Sequence, residues 1–207
     1  MRQSNRTSSI LLLWLGVCAF SWAGETPVSK ETTAPGTTVH RGDKEFHLQG
    51  SGLEVGKALP EAVLTDGSLK DSNTKNSIGK KVLLISVVPS IDTPVCEKQT
   101  HILSEEGKDL PDSVERLTIS RDLPFAQKRF AKESGLENIT YLSDFKEASF
   151  GKATGLLLED LGLLARGAIV VDKNGVVRYF QIVPELTHLP DMETAFKKAK
   201  EVAGKDK

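Results

Sequence analysis

From Val82 to Val88 the chain reads VLLISVV, an uncharged run of aliphatic and β-branched residues. Such a run predicts a strand buried on both faces. Shorter runs of this kind recur at Glu115 to Ser120 (ERLTIS), Ile139 to Leu142, Gly167 to Val171 and Val176 to Val183. The last two are joined by Lys173-Asn174-Gly175, a strong hairpin signal. Between these strands the apolar positions space out to helical period. Helices are expected from Pro94 to about Glu106, with Gly107 as a stop signal, over Pro124 to Lys132, over Glu147 to Ala153, and from Pro190 to about Val202. Phe46 to Gln49 and Leu53 to Val55 flank Gly50-Ser51-Gly52 and predict an N-terminal β-hairpin. A further strand is expected at Ala62 to Leu64, with Asp66-Gly67 as its turn. Strands alternating with helices give an α/β fold, a central mixed β-sheet flanked by helices.

The N-terminus departs from this pattern. Arg2 and Arg6 precede an apolar run from Ile10 to Phe20, and Ser21-Trp22-Ala23 forms a small-x-small cleavage site. Residues 1–23 therefore read as a secretory signal peptide, cleaved after Ala23, too short to be a permanent membrane span. Leu15-Gly16-Val17-Cys18 distantly resembles a lipoprotein cleavage box, which makes lipid anchoring at Cys18 the minor alternative. Residues 24–44 are rich in Thr, Pro, Gly and charge without apolar period, so a disordered linker is expected, with His40 and Arg41 as solvated surface. The globular domain is then 45–207. A formal net charge of -1 over 207 residues argues against nucleic acid as a partner.

Once the signal peptide is removed, one thiol is left, Cys96 in Pro89 to Gln99 (PSIDTPVCEKQ). Pro89 ends the preceding strand, Asp92 and Thr93 are cap types, and Pro94 suits the first helical position. With Thr93 as cap, Cys96 falls in the first turn. Unpaired backbone N–H groups and the positive end of the helix dipole favour the thiolate there.

The spacing PxxxTxxC, here Pro89, Thr93 and Cys96, resembles the peroxidatic loop of the peroxiredoxins, and PSIDTPVC that of one subgroup, the bacterial thiol peroxidases. FHLQG (Phe46 to Gly50), DLPFAQKRF (Asp122 to Phe130), ARGAIVVD (Ala165 to Asp172) and the region from Gly175 to Glu185 agree in order and approximate spacing. The resemblance covers roughly Glu45 to Val202. It implies a thioredoxin-like fold, a homodimer, and a thiol-dependent reduction of hydrogen peroxide or organic hydroperoxides through a sulfenic acid at Cys96, with no cofactor and no metal. It assigns Arg166 to the active site, where its donor fork would bridge thiolate and peroxide. Thr93 would offer its hydroxyl to peroxide or thiolate, and Pro89 would keep water out.

One departure changes the expected mechanism. The subgroup carries a resolving cysteine just after the phenylalanine that follows DLPFAQ, and here Phe130 is followed by Ala131. Resolution is expected from an external thiol reductant, a thioredoxin-like protein or small thiol, or from a second subunit. The alternative is a degenerate peroxiredoxin acting as a peroxide sensor or binding module. A disulfide oxidoreductase would need CxxC, and Thr93 stands where its first cysteine would be. A cysteine hydrolase would need a histidine base, and none of the four histidines has such a context. No Cys/His cluster has metal-ligand spacing.

Overall fold

The computed structural model describes residues 25–50, 52–77 and 80–205. The segment read as a signal peptide, with its expected cleavage site and Cys18, lies outside them, as does Ser51. In chain order the elements are β1 (Thr38–Arg41), β2 (Lys44–Gln49), β3 (Val63–Asp66), β4 (Asp71–Asn73), α1 (Thr74–Ser77), β5 (Val82–Val87) and α2 (Pro94–Glu105). There follow β6 (Val114–Ser120), α3 (Pro124–Glu133), β7 (Thr140–Ser143), α4 (Ser149–Thr154), β8 (Leu157–Leu158), β9 (Leu163–Leu164), β10 (Gly167–Val171), β11 (Val177–Ile182) and α5 (Met192–Lys205).

The main sheet runs β11-β10-β5-β6-β7-β3-β4, and a smaller sheet runs β1-β2-β8-β9. β6 pairs in parallel with both β5 and β7, while β10 pairs antiparallel with β5 and β11, so the sheet is mixed. Every residue of β5 is buried, as its unbroken apolar run predicts. The two-residue period of the strand divides its side chains between two cores. Leu83, Ile85 and Val87 join Ile119, Ile169, Phe150, Leu158 of β8 and Leu164 of β9 on one face. Val82 and Leu84 meet Leu103 of α2 and the buried stripe Met192, Ala195, Phe196, Ala199 and Val202 of α5 on the other. That i, i+3, i+4, i+7 spacing is why α5 lies flat against the sheet. Among the described residues no helix is long and apolar enough to cross a membrane.

Two expectations at the N-terminus need correction. The segment read as a disordered linker is folded from Glu25 onward. Ser29 donates its N–H to Leu189 O at 2.8 Å, Leu189 returns one to Pro27 O at 2.7 Å, and Thr33 donates to Ile182 O at 2.9 Å. The side-chain amide of Gln181 donates to the carbonyls of Ser29 and Glu31, both at 2.8 Å. Composition measures what a segment buries by itself. It does not register the unpaired edge of β11, which accepts a polar chain through backbone bonds. The hairpin likewise has another partner. β2 pairs back with β1 across Gly42, whose φ of 59° suits a glycine, and forward with β8, not with Leu53 to Val55. At Gly50 the chain passes so close to α4 that an added Cβ would lie 2.1 Å from the Lys152 carbonyl oxygen, and Leu53 beyond it is buried in the core.

Candidate active site

β5 and β6 carry the site on their parallel, C-terminal ends. Past Val88, Pro89 stops the strand, and the next turn is held from the side by one carboxylate. Asp122, between β6 and α3, accepts from the Ser90 hydroxyl and the Ile91 backbone N–H, each at 2.8 Å. Thr93 then occupies the cap position of α2 with extended backbone angles (φ -134°, ψ 144°), and Pro94 starts the helix. The expected capping geometry is present in the backbone, since Glu97 N–H bonds Thr93 O at 2.9 Å. The side chain behaves differently: the Thr93 hydroxyl donates back to Ser90 O at 3.2 Å and caps no helix N–H.

Cys96 is fully buried, packed with Val88 and Ile91 and against the ring of Phe130. The Arg166 guanidinium, 2% exposed, reaches it from the residue before β10. Nη2 donates to Cys96 Sγ at 3.3 Å, Nη1 to Gln99 Oε1 at 2.8 Å, and Nε to Leu186 O at 3.1 Å. Gln99 is fixed in turn, its amide nitrogen within reach of Ser86 Oγ at 2.8 Å, Gly167 O at 3.2 Å and Val87 O at 3.3 Å. Three donor groups of the guanidinium are thus aimed by the end of β5, α2 and the loop after β11. Among the described residues no carboxylate pairs with Arg166, and the Cys96 sulfur is one of its three hydrogen-bond partners. A buried cation without any such partner would be costly.

The Arg166 guanidinium lines a pocket of about 220 Å³ together with Pro89, Thr93, Val95, Leu158, Leu161 and Leu163, and Cys96 is buried behind it, in contact with that guanidinium but not itself lining the pocket. The four expected site residues, Cys96, Thr93, Arg166 and Pro89, are therefore brought together. The position expected to have lost the resolving thiol, Ala131, is buried on α3 next to Phe130. On its outer side lies Tyr141, whose ring meets Phe130 edge-on at 6.5 Å and whose phenol is pushed well above its ordinary pKa by burial. Cys96 is the only cysteine among the described residues. His40 and His47 pair loosely with surface acids, His101 lies 3.0 Å from the Glu105 carboxylate, and no histidine contacts Cys96.

Sequence reasoning missed Gln99, Asp122, Arg41 and the β8–β9 leucines. Gln99 had a legible signal: three residues after Cys96, it must share the cysteine's helical face. Asp122 lay inside the quoted DLPFAQ string without a role. Arg41 had been read as solvated surface, and it is exposed, yet it lines the same pocket as Arg166. No local pattern connects Arg41 with Cys96.

Comparison with known proteins gives a consistent result. The Redoxin family pattern matches residues 54–196. A thiol peroxidase of Staphylococcus saprophyticus is 49% identical over 148 residues, covering 72% of this chain and 88% of that protein. A thiol peroxidase of Halalkalibacterium halodurans is 47% identical over 153 residues, covering 74% and 91%. Among solved structures, a peroxiredoxin-like protein from Aquifex aeolicus superposes with a TM-score of 0.74 at 36% identity, covering 82% of this chain and 99% of its own. A thiol peroxidase from Chromobacterium violaceum has the same fold, with a TM-score of 0.69 at 23% identity.

The Gln99 contacts generate a direct test. Gln99→Leu keeps the volume but leaves the Arg166 Nη1 donor and the Ser86 hydroxyl without their buried partner. Such orphaned groups cost about 1–3 kcal/mol each. Urea unfolding should show a lower midpoint with unchanged slope, and a parental midpoint would mean that the amide holds nothing in place.

Proposed function

The chain belongs to the peroxiredoxins, and within them to the bacterial thiol peroxidases, and from that premise we propose that it reduces hydroperoxides through Cys96 alone, with an external thiol completing the cycle. The observation that carries this reading is the 3.3 Å contact between a fully buried cysteine and a guanidinium that has no carboxylate of its own. The pair is self-balancing only with the sulfur as thiolate, and a thiolate is the nucleophile the reaction needs.

The proposed step is a displacement along the O–O bond. Cys96 S⁻ attacks the terminal oxygen of R–O–O–H, the S–O bond forms as the O–O bond breaks, and the electron pair leaves with R–O⁻. The products are Cys96 sulfenic acid and, once protonated, the alcohol R–OH, or water when the substrate is hydrogen peroxide. Arg166 stands beside both partners of this exchange and stabilises negative charge as it moves from sulfur to oxygen. The Thr93 hydroxyl has its hydrogen committed to Ser90 O, so toward a peroxide it presents lone pairs and accepts the O–H. Pro89 and the β8–β9 leucines exclude water, which strengthens both interactions.

The sulfenic acid then awaits a thiol. Cys96 has no partner cysteine among the described residues, and Ala131 supports the reading that none stands on α3. A thiol RSH attacks the Cys96 sulfur, water leaves, and a second thiol reduces the mixed disulfide. Excess peroxide competes by driving the sulfenic acid to the sulfinic acid. The Arg2 to Ala23 pattern supports export to a periplasm, with Gly24 as the mature N-terminus in a soluble periplasmic fraction. A lipid-modified Cys18 recovered from membranes would overturn that part.

Mass analysis after one equivalent of peroxide tests the one-cysteine cycle. The parent should stop at a sulfenic acid that dimedone traps, and should turn over only when thiol is supplied. Ala131→Cys should instead yield an intramolecular disulfide with Cys96. A disulfide needs Cα atoms within about 7 Å, and local opening of the α2 or α3 end lets the two sulfurs approach. A parent that turns over without added thiol contradicts the proposed cycle. A variant that never forms the disulfide contradicts the assignment of position 131.

A further inference from the structure

The pocket above Cys96 has an unusual charge pattern. Its only ionisable residues are Arg166 at the floor and Arg41 at the mouth, and no acid lines it. Leu158, Leu161, Leu163 and Leu186 line it together with Pro89, Pro94 and Val95. The Arg166 guanidinium is committed to Cys96 Sγ, Gln99 Oε1 and Leu186 O. Arg41 makes no ion pair among the described residues.

The backbone on either side of Arg41 is nevertheless held in place. His40 beside it donates to Pro184 O at 2.7 Å and accepts from Leu186 N–H at 2.8 Å, and on its other side Gly42 N–H bonds the Glu185 carboxylate at 3.0 Å. That carboxylate makes no ion pair with Arg41. Its second oxygen is instead occupied by the Thr187 N–H at 3.1 Å and the Thr187 hydroxyl at 2.8 Å. Leu186 is also the residue whose carbonyl anchors Arg166 Nε. The loop from Pro184 to Leu186 therefore fixes the two arginines relative to one another, one at each end of an apolar channel. The segment that carries Arg41 folds against the domain for no apparent gain in apolar core beyond Val39. Placement of a cation at the pocket mouth gives that fold a use.

We propose that Arg41 is a specificity-determining residue that selects alkyl hydroperoxides bearing a carboxylate at the end remote from the peroxide. The hydroperoxide group would reach Cys96 and Arg166, the hydrocarbon would lie along the β8–β9 leucines, and the carboxylate would meet the Arg41 guanidinium, whose planar fork matches it bidentately. Hydrogen peroxide gains nothing from this arrangement, because it has neither chain nor charge. The inference rests on the reading of Cys96 as the peroxide-reducing thiolate.

The test uses stopped-flow oxidation of Cys96 by a homologous series of ω-hydroperoxy alkanoic acids and their methyl esters, below micelle-forming concentrations. The quantity read is the ratio of acid to ester rate constants within each protein, which cancels any general effect of a substitution on the site. At the best-fitting chain length the parent should favour the acid by about fivefold at low salt, the scale of a partly exposed ion pair, and less at high salt. Arg41→Gln should bring the ratio to about one, Arg41→Lys should keep part of it, and Arg41→Glu should reverse it. Circular dichroism of each variant reports whether the hairpin still folds, and the charge-retaining lysine variant gives the comparison if glutamine does not. A parent that reacts with hydrogen peroxide and with the esters but shows a ratio of one at every chain length overturns the role of Arg41 alone. So does a preference that survives Arg41→Glu. If neither hydrogen peroxide nor any ester oxidises Cys96, the reading of the site itself fails.

Discussion

A guanidinium buried to 2% exposure, with no carboxylate among the described residues to pair with it, is the constraint around which the molecule is arranged. Burial of such a charge is unfavourable by several kcal/mol unless it is hydrogen-bonded and balanced. Arg166 is hydrogen-bonded on three sides, to Cys96 Sγ, Gln99 Oε1 and Leu186 O. Each partner arrives from a different part of the chain. Cys96 and Gln99 come from the first turns of α2, which Pro89 and Pro94 aim from the end of β5. Leu186 comes from the loop that leaves β11. The sheet order that sets β10 between β5 and β11 is what allows these three pieces to meet at one side chain.

The rest of the fold bears on the same point through support. Asp122 fixes the turn before the cysteine by two bonds, so the position of Sγ depends on the β6–α3 junction as well as on its own helix. The small sheet β1-β2-β8-β9 gives Val39, Leu48, Leu158 and Leu164 to the core and Arg41, Leu158 and Leu163 to the pocket lining. The helix end that carries the cysteine is also where local opening is least costly. A reaction whose oxidised product must become accessible to a second thiol needs that combination, a rigid reduced site on an element that can fray.

How much of this was legible in the sequence follows from the range of each signal. The alternation of apolar runs and helical periods predicted β5, β6, β7, β10, β11, α2, α3 and α5 with small boundary differences, because burial on a sheet leaves a local pattern. Cys96 and its turn were legible for the same reason, since strand end, cap type and proline lie within a few residues. Arg166 was found only through the resemblance, because nothing around it differs from a loop arginine. Gln99 was within reach of helical spacing alone. The course of residues 25–44, the pairing of β1 with β2, and the position of Arg41 depend on partners far along the chain, at Gln181, Pro184 and Leu189. Composition carries no trace of those contacts. β8 and β9, two residues each, are too short to show a period.

The relation between Arg166 and Cys96 is therefore the part of the account on which the rest depends. It is tested most directly by the stopped-flow rate of Cys96 oxidation by hydrogen peroxide in Arg166→Lys, which retains the charge and removes the fork. The account predicts a rate lower on the order of 10²-fold with the fold intact, as for other lost transition-state donors. A lysine variant that reacts at the parental rate would contradict it.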